Sequence, residues 1–193
     1  MLTAAEKHEL LAVARKAIEG ALDDPVRPSG KTWPVGDVPP GSRLAQPGGA
    51  FVTLTLGGHL RGCIGYVESS DPLVRTVASV AVKSAFEDPR FTPLTATEYG
   101  TVRVEISVLT PPAPVADPSL IEVGRHGLIV ELGRSRGLLL PQVAVEYGWD
   151  TAEFLAHTSR KAGLPADGWR RPGARILAFT AEVFGEADDH GTA

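Results

Sequence analysis

A single cysteine, Cys63, stands among 193 residues. An intrachain disulfide is excluded, as is any zinc or iron–sulfur site that needs several thiolates, so the thiol is either a small buried hydrophobe or a group with a chemical role. Long apolar runs are also absent, and no stretch approaches the roughly 18 residues of a membrane span. The first 22 residues set Glu6, Lys7, Glu9, Arg15 and Lys16 among their apolar positions, unlike a secretion signal, and the expected location is cytoplasmic. A basic excess is missing too: the formal net charge of −4 opposes a dedicated nucleic-acid binder. Glycine-rich fragments are plentiful, but no Gly-x-Gly-x-x-Gly follows a strand into a helix and no Gly-x-Ser-x-Gly elbow occurs. Nucleotide-cofactor enzymes and serine hydrolases are therefore disfavoured, and the cofactor is left unknown.

What is present is enough for one globular domain, with 43% hydrophobic and 22% charged residues. Thr3-Ala4-Ala5-Glu6 has the form of a capping box, and Leu11, Ala14, Ile18 and Leu22 follow at helical spacing, which predicts a helix from about residue 4 to 20. Six prolines and five glycines between residues 23 and 49 predict an ordered loop, pinned by Trp33 and Val35. Strand-like residues 50–56 then lead through Gly57-Gly58 into Leu60-Arg61-Gly62-Cys63-Ile64-Gly65. A three-residue loop, Gly57-Gly58-His59, opposes Leu56 to Leu60, Leu54 to Gly62 and Val52 to Ile64, giving one apolar face. Thr53, Thr55, Arg61 and Cys63 then share the other face. Asp71-Pro72 marks a helix start, with Asp71 as cap, and Glu87-Asp88-Pro89 its stop.

Strict alternation over residues 102–109 predicts a half-buried strand. Residues 128–132 and 137–140 read as a second hairpin around Gly133-Arg134-Ser135-Arg136, and Pro141-Gln142 opens a short helix. Asp150-Thr151-Ala152-Glu153 caps a helix that Gly163 closes, residues 175–184 form a last strand, and residues 185–193 a frayed tail. Hairpins and helices without a repeating βαβ unit indicate an α+β fold with a mainly antiparallel sheet and flanking helices.

Cys63 needs a base or a positive field to ionise near neutral pH, and Arg61 is the nearest cation in sequence. His126, in Gly124-Arg125-His126-Gly127, is the candidate general base. Glu105 and Ser107 share a strand face, where Glu105 could orient a histidine or bind a cation. Cys63, His59 and His126 lack the short ligand spacing of a metal site. Residues 124–175 carry eight Lys or Arg against five Asp or Glu, which suggests an anionic ligand or a solvated face.

Phe51-Val52-Thr53-Leu54, Leu60-Arg61-Gly62-Cys63-Ile64-Gly65, Asp88-Pro89-Arg90-Phe91, Ile106-Ser107-Val108-Leu109-Thr110, Gly124-Arg125-His126-Gly127, Leu140-Pro141-Gln142-Val143 and Lys161-Ala162-Gly163-Leu164 together resemble the AMMECR domain family, in the form found in the AmmeMemoRadiSam gene system. The similarity spans residues 4–184, and the cysteine hexapeptide is its most specific part. The resemblance implies a larger and a smaller lobe around a mostly antiparallel sheet, with Cys63, Arg61 and His126 lining a cleft. It also implies functional association with a Memo-type protein, similar to ring-opening dioxygenases, and with a radical S-adenosylmethionine (radical SAM) protein. Arg90, Gln142 and Lys161 within these motifs, with Glu105, are the candidate substrate-binding residues. Some members carry a second cysteine just before the Lys-Ala-Gly-Leu segment; Thr158 and Ser159 stand there in this chain, which argues against a two-thiol mechanism.

Two function classes stay open. One is an enzyme in which Cys63 is nucleophile or covalent carrier, His126 the base and Arg61 a thiolate stabiliser or anion clamp, acting on a small molecule or, against the charge balance, on nucleic acid. The other is a non-catalytic adaptor or ligand-binding module in the same system.

Overall fold

The computed structural model describes residues 1–24, 33, 35–36, 38 and 41–186. The chain is α+β with antiparallel strands and divides into two compact units. The larger comprises Met1–Leu109 and the segment beginning at Glu182; the smaller is Thr110–Ala181.

In the larger unit, α1 (Ala4–Leu22) starts at the anticipated capping box: the Thr3 hydroxyl accepts the Glu6 N–H at 3.2 Å and the Glu6 carboxylate accepts the Thr3 N–H at 2.9 Å. Its stripe of Leu10, Ala14, Ile18 and Ala21 is fully buried and packs on α2 (Leu73–Phe86). That second helix starts differently from the sequence expectation: Pro72 rather than Asp71 precedes its first turn, and no side chain caps it. The chain supplies the caps instead, because the Leu73 N–H donates to Gln46 O at 2.8 Å and the Pro72 carbonyl takes the N–H groups of Arg75 and Thr76.

Small residues on α2, among them Ala81, Ser84 and Ala85, let it lie close to β1 (Ala50–Leu56) and β2 (His59–Tyr66). β1 lies between β2 and β3 (Arg103–Leu109), antiparallel to both. Val52 and Leu54 of β1 and Ile106 of β3 are completely buried in the shared core, each worth about 1.5–3 kcal/mol relative to exposure. A four-residue helix, α3 (Ala96–Tyr99), was not foreseen, although Thr95 and Glu98 form a capping box of the usual spacing.

Of the Pro/Gly-rich stretch 23–49, residues 25–32, 34, 37, 39 and 40 lie outside the described residues. Trp33 is buried with its ring against Gly20 of α1. The Glu6 carboxylate reaches across to the Ser42 hydroxyl at 2.9 Å and the Arg43 N–H at 3.2 Å.

The smaller unit contains β4 (Ala113–Pro114), β5 (His126–Leu132), β6 (Ser135–Leu139), α4 (Pro141–Glu146), α5 (Thr151–Lys161) and most of β7 (Arg175–Gly185). β5 pairs with β6 and β7, and β4 adds to β7. The β5–β6 connection is tighter than the expected four residues: pairing continues to Leu132 opposite Ser135, leaving Gly133-Arg134 as the turn. Asp150 and Glu153 cap α5 reciprocally, as their spacing indicates. Phe154 and Leu155 of that helix bury against Leu128 and Val130 of β5.

Beyond Ala181, β7 belongs to the larger unit. Gly185, expected in the tail, ends this strand, and Glu186 is tied by both carboxylate oxygens to Arg15 at 2.6 Å and by one to the Val104 N–H at 3.0 Å. The remaining tail, 187–193, lies outside the described residues. Among the described residues no helix is long and apolar enough to cross a membrane.

Candidate functional site

The turn before the cysteine hexapeptide is shorter than the expected three-residue loop. Gly57 and Gly58, at φ +58° and +80°, form a two-residue turn by themselves, because two successive residues at positive φ match the right-handed twist of a hairpin. Leu56 therefore faces His59, and Thr55 faces Leu60. The register then slips by one residue, so that Leu54 faces Gly62, Thr53 faces Cys63 and Val52 faces Ile64. Arg61 is the extra residue of this β-bulge. The expected apolar register from Leu54 onward is thus correct, but a bulge produces it and not a three-residue loop.

Gly62 sits where α2 is closest. A Cβ there would overlap the Ser84 carbonyl oxygen, so the approach requires glycine. Ser84 itself is buried; its hydroxyl accepts the Ile64 N–H at 2.8 Å and donates to Val52 O at 2.7 Å, joining the helix to both arms of the hairpin.

Cys63 is half-buried on the sheet face it shares with Thr53, whose hydroxyl donates to Sγ at 3.3 Å. Thr53 also faces Glu105 on β3, so carboxylate, hydroxyl and thiol form one cross-strand row. Beside that row the Phe51 ring lies over Gly65, in space that a side chain on Gly65 would fill.

β2 is an edge strand, and side chains satisfy its outer backbone groups at the cysteine. The Cys63 N–H donates to Asp88 Oδ2 at 2.9 Å, and the Cys63 carbonyl accepts from Arg90 Nη2 at 3.2 Å. Asp88 and Arg90 bond each other at 2.7 Å, closing a ring on the strand edge. The Arg90 hydrogen bond, with further help from the Cys63 N–H, holds the buried Asp88 carboxyl far below the usual carboxylate range. The same bond raises the Arg90 guanidinium.

Arg61 is only 9% exposed, and its guanidinium is committed to a carboxylate. Nε and Nη2 fork onto the two oxygens of Glu98 at 2.9 and 3.1 Å, while Nη1 has no partner among the described residues. That fork, together with the Thr95 N–H, lowers the Glu98 carboxyl to about 2. Phe91 lies between the two arginines, its ring centroid 5.9 Å from the guanidinium carbon of Arg61 and 5.5 Å from that of Arg90.

The seven residues singled out from the sequence divide between the units. Cys63, Arg61, Arg90 and Glu105 belong to the larger unit, and within it Arg90 bonds the cysteine backbone while Glu105 lies in the cysteine's row. His126, Gln142 and Lys161 belong to the smaller unit. His126 opens β5, and its Nδ1 accepts the Glu122 N–H at 3.0 Å, an arrangement that assigns the proton of the neutral ring to Nε2. Gln142 is exposed in the first turn of α4 and Lys161 is exposed at the end of α5. Thr158 and Ser159 are buried: Thr158 donates to Phe154 O at 2.7 Å, and Ser159 accepts the Trp169 N–H at 3.2 Å.

Sequence reasoning missed Asp88 and Glu98, the two carboxylates that organise the arginines. Glu98 was detectable through its Thr95-Ala96-Thr97-Glu98 spacing. Asp88 stands in the Asp88-Pro89-Arg90-Phe91 motif, but its role as acceptor could not be read there, because it depends on a strand 25 residues away. No group of three or more His, Cys, Asp or Glu side chains among the described residues is placed to hold a metal ion.

Known proteins place this geometry in a family. The AMMECR1 family model matches residues 11–184. A protein of Methanothermobacter thermautotrophicus is 48% identical over 187 residues, covering 94% of both chains. Protein MK0488 of Methanopyrus kandleri is 45% identical, covering 98% of this chain and 93% of its own. The crystal structure of uncharacterized protein PH0010 from Pyrococcus horikoshii superposes with a TM-score of 0.79 at 45% identity, over 95% of this chain and 92% of that one. The chain belongs to the AMMECR1 family.

Proposed function

We propose that the protein is a thiol-dependent enzyme whose reacting atom is Sγ of Cys63. The observation that carries this reading is the hydrogen bond from the Thr53 hydroxyl to a half-buried sulfur, on a sheet face with a carboxylate in the same row. The Thr53 hydroxyl fixes where the sulfur sits on that face, and a deprotonated cysteine sulfur is a strong nucleophile. Asp88 and Arg90 support the role differently, by gripping the cysteine's own N–H and C=O so that the sulfur keeps a set position on an otherwise free edge. In this reading the sulfur attacks an electrophilic centre of a small molecule, or carries a group covalently. Glu105 binds or orients the substrate, with Arg90, 53% exposed at its side chain, as the accessible cation. The substrate is shared with a Memo-type and a radical SAM protein in the cytoplasm; the support for those partners is the family resemblance of the hexapeptide and its companion motifs.

The test is alkylation. Iodoacetamide should label Cys63 in the folded chain faster than in the unfolded chain at neutral pH, and Cys63→Ala should abolish cellular function. A folded-state rate below the unfolded one, with function intact in Cys63→Ala, would sink the enzyme reading. A non-catalytic module is favoured by one specific observation: Arg61 and Arg90 are both bound to carboxylates, so the hexapeptide is also a structural anchor. That alternative expects Cys63→Ala to be silent and Asp88→Ala to cost partner or ligand binding.

A further inference from the structure

The smaller unit holds a cavity of about 550 Å³ that no part of the cysteine reading uses. Its walls include Pro114, Val115, Pro118, Trp169 and Ile176, and its charged lining residues are Arg170 and Arg175. The walls are held in place. Val115 donates its N–H to Ile176 O at 2.9 Å where β4 joins β7, and the Trp169 N–H is bonded to the buried Ser159 hydroxyl at 3.2 Å. Asp117, between two stretches of the lining, accepts the Ser119 N–H at 2.9 Å and does not line the cavity.

The basic excess of residues 124–175 is distributed unevenly over its counter-charges. Arg125 is paired with Glu122 at 2.8 Å and Arg136 with Glu131 at 3.1 Å. Arg175 reaches the same Glu131 only at 3.8 Å, and its side chain is 64% exposed. Arg170 makes no ion pair with a carboxylate among the described residues; its guanidinium stacks on Trp169, 4.4 Å from the ring centroid. Two incompletely neutralised arginines therefore line a solvent-open, partly apolar cavity that has no acidic lining residue.

We propose that this cavity binds a small organic anion, a flat apolar body bearing one carboxylate. The body packs against Pro114, Val115, Pro118 and Ile176, and the carboxylate takes the guanidinium groups of Arg170 and Arg175, whose planar forks match it. The volume is in the ordinary range for a small-molecule site, which is mostly apolar with a few placed polar groups. The site is independent of the chemistry assigned to Cys63.

The experiment is an amide NMR titration of the isotope-labelled full chain with naphthoate and with its neutral analogue naphthamide. Naphthoate should shift the Val115 and Ile176 amides and the Trp169 indole saturably and bind at least ~tenfold more tightly than naphthamide, the scale of a charge-assisted hydrogen bond. In the Arg170→Gln, Arg175→Gln double variant, which alters two exposed side chains, naphthoate should fall to the level of naphthamide. Equal binding of the two probes, absence of saturable shifts at those positions up to ~10 mM naphthoate, or a double variant that keeps the preference would each overturn the proposal.

Discussion

The two hairpins, β1–β2 in the larger unit and β5–β6 in the smaller, are built from the same parts. Each turns at a glycine with positive φ, Gly57 or Gly133. Each has a strand glycine pressed against helix backbone, Gly62 under Ser84 and Gly137 under Ala162. In each unit an aromatic ring covers a further glycine, Phe51 over Gly65 and Phe179 over Gly127. The difference lies in what happens after the turn. β5 and β6 pair without interruption from Leu132–Ser135 to Leu128–Leu139, whereas β2 slips at Arg61 and then binds Asp88, Arg90 and Ser84 through the backbone of Cys63 and Ile64. Plain alternation is enough to hold the β5–β6 hairpin together. The hairpin that carries the thiol has additional polar side chains fastening the residues around it, which is the mark of a position under geometric control.

That contrast can be broken at several points. The glycines under the helices should matter most, and equally in both units: Gly62→Ala and Gly137→Ala each force a methyl into helix backbone and should cost about 3 kcal/mol or more in denaturant unfolding. A loss below about 1 kcal/mol at either position would remove the close approach from the account. Asp88→Ala should separate the hairpins, since it strips the Cys63 N–H of its acceptor and leaves Arg90 without its carboxylate. The expected loss is about 2–4 kcal/mol, with faster amide exchange at Cys63. Ser84→Ala removes one hydroxyl that serves both arms, and about 1–3 kcal/mol should follow in the same unfolding measurement.

A smaller effect comes from pH. Glu98 is lowered from an ordinary 4.5 to about 2 by Arg61, so the folded state binds its proton less readily than the unfolded state. Its stabilising contribution is complete above the unfolded value and fades as pH falls from about 4.5 to about 2. Glu98→Gln should flatten the acid limb of the stability curve in that window, and an unchanged limb would argue against the Arg61–Glu98 fork. The smallest effect on stability should come from Thr53→Val, within about 1 kcal/mol, because both residues fill a half-buried strand site. Its signature is chemical instead: slower alkylation of Cys63 at neutral pH. An unaltered alkylation rate would leave Thr53 as a strand residue alone.

Local patterns were readable where the physics is local. The capping boxes at Thr3/Glu6 and Asp150/Glu153 each satisfy orphan N–H groups within four residues, so their spacing alone announces the helix start. The register of Val52 with Ile64 was readable too, because only that alignment puts the apolar side chains on one face. The bulge at Arg61 was not, since a three-residue loop and a two-residue turn plus bulge yield the same downstream register and differ only in how the turn twists the strands. Pro72 in place of Asp71 escaped for a related reason: Gln46, far back in the chain, supplies the acceptor that a cap would otherwise have to match. In the candidate site, Cys63 was conspicuous as the only thiol and Thr53 shared its predicted face. Arg61 and Arg90 looked free in the sequence, however, and are both held by carboxylates in the fold.

The sequence by itself determined the longer elements, the antiparallel α+β class, the family and the position of the thiol on the polar face of a hairpin, because each depends on periodicity, capping or short motifs within a few residues. Only the tertiary structure decided which charges are spent and which remain available. Asp88 meets the Cys63 N–H, Glu98 meets Arg61, and Arg170 is left facing a cavity, because a charge is neutralised by whatever approaches within a few ångströms, and the fold alone sets that distance.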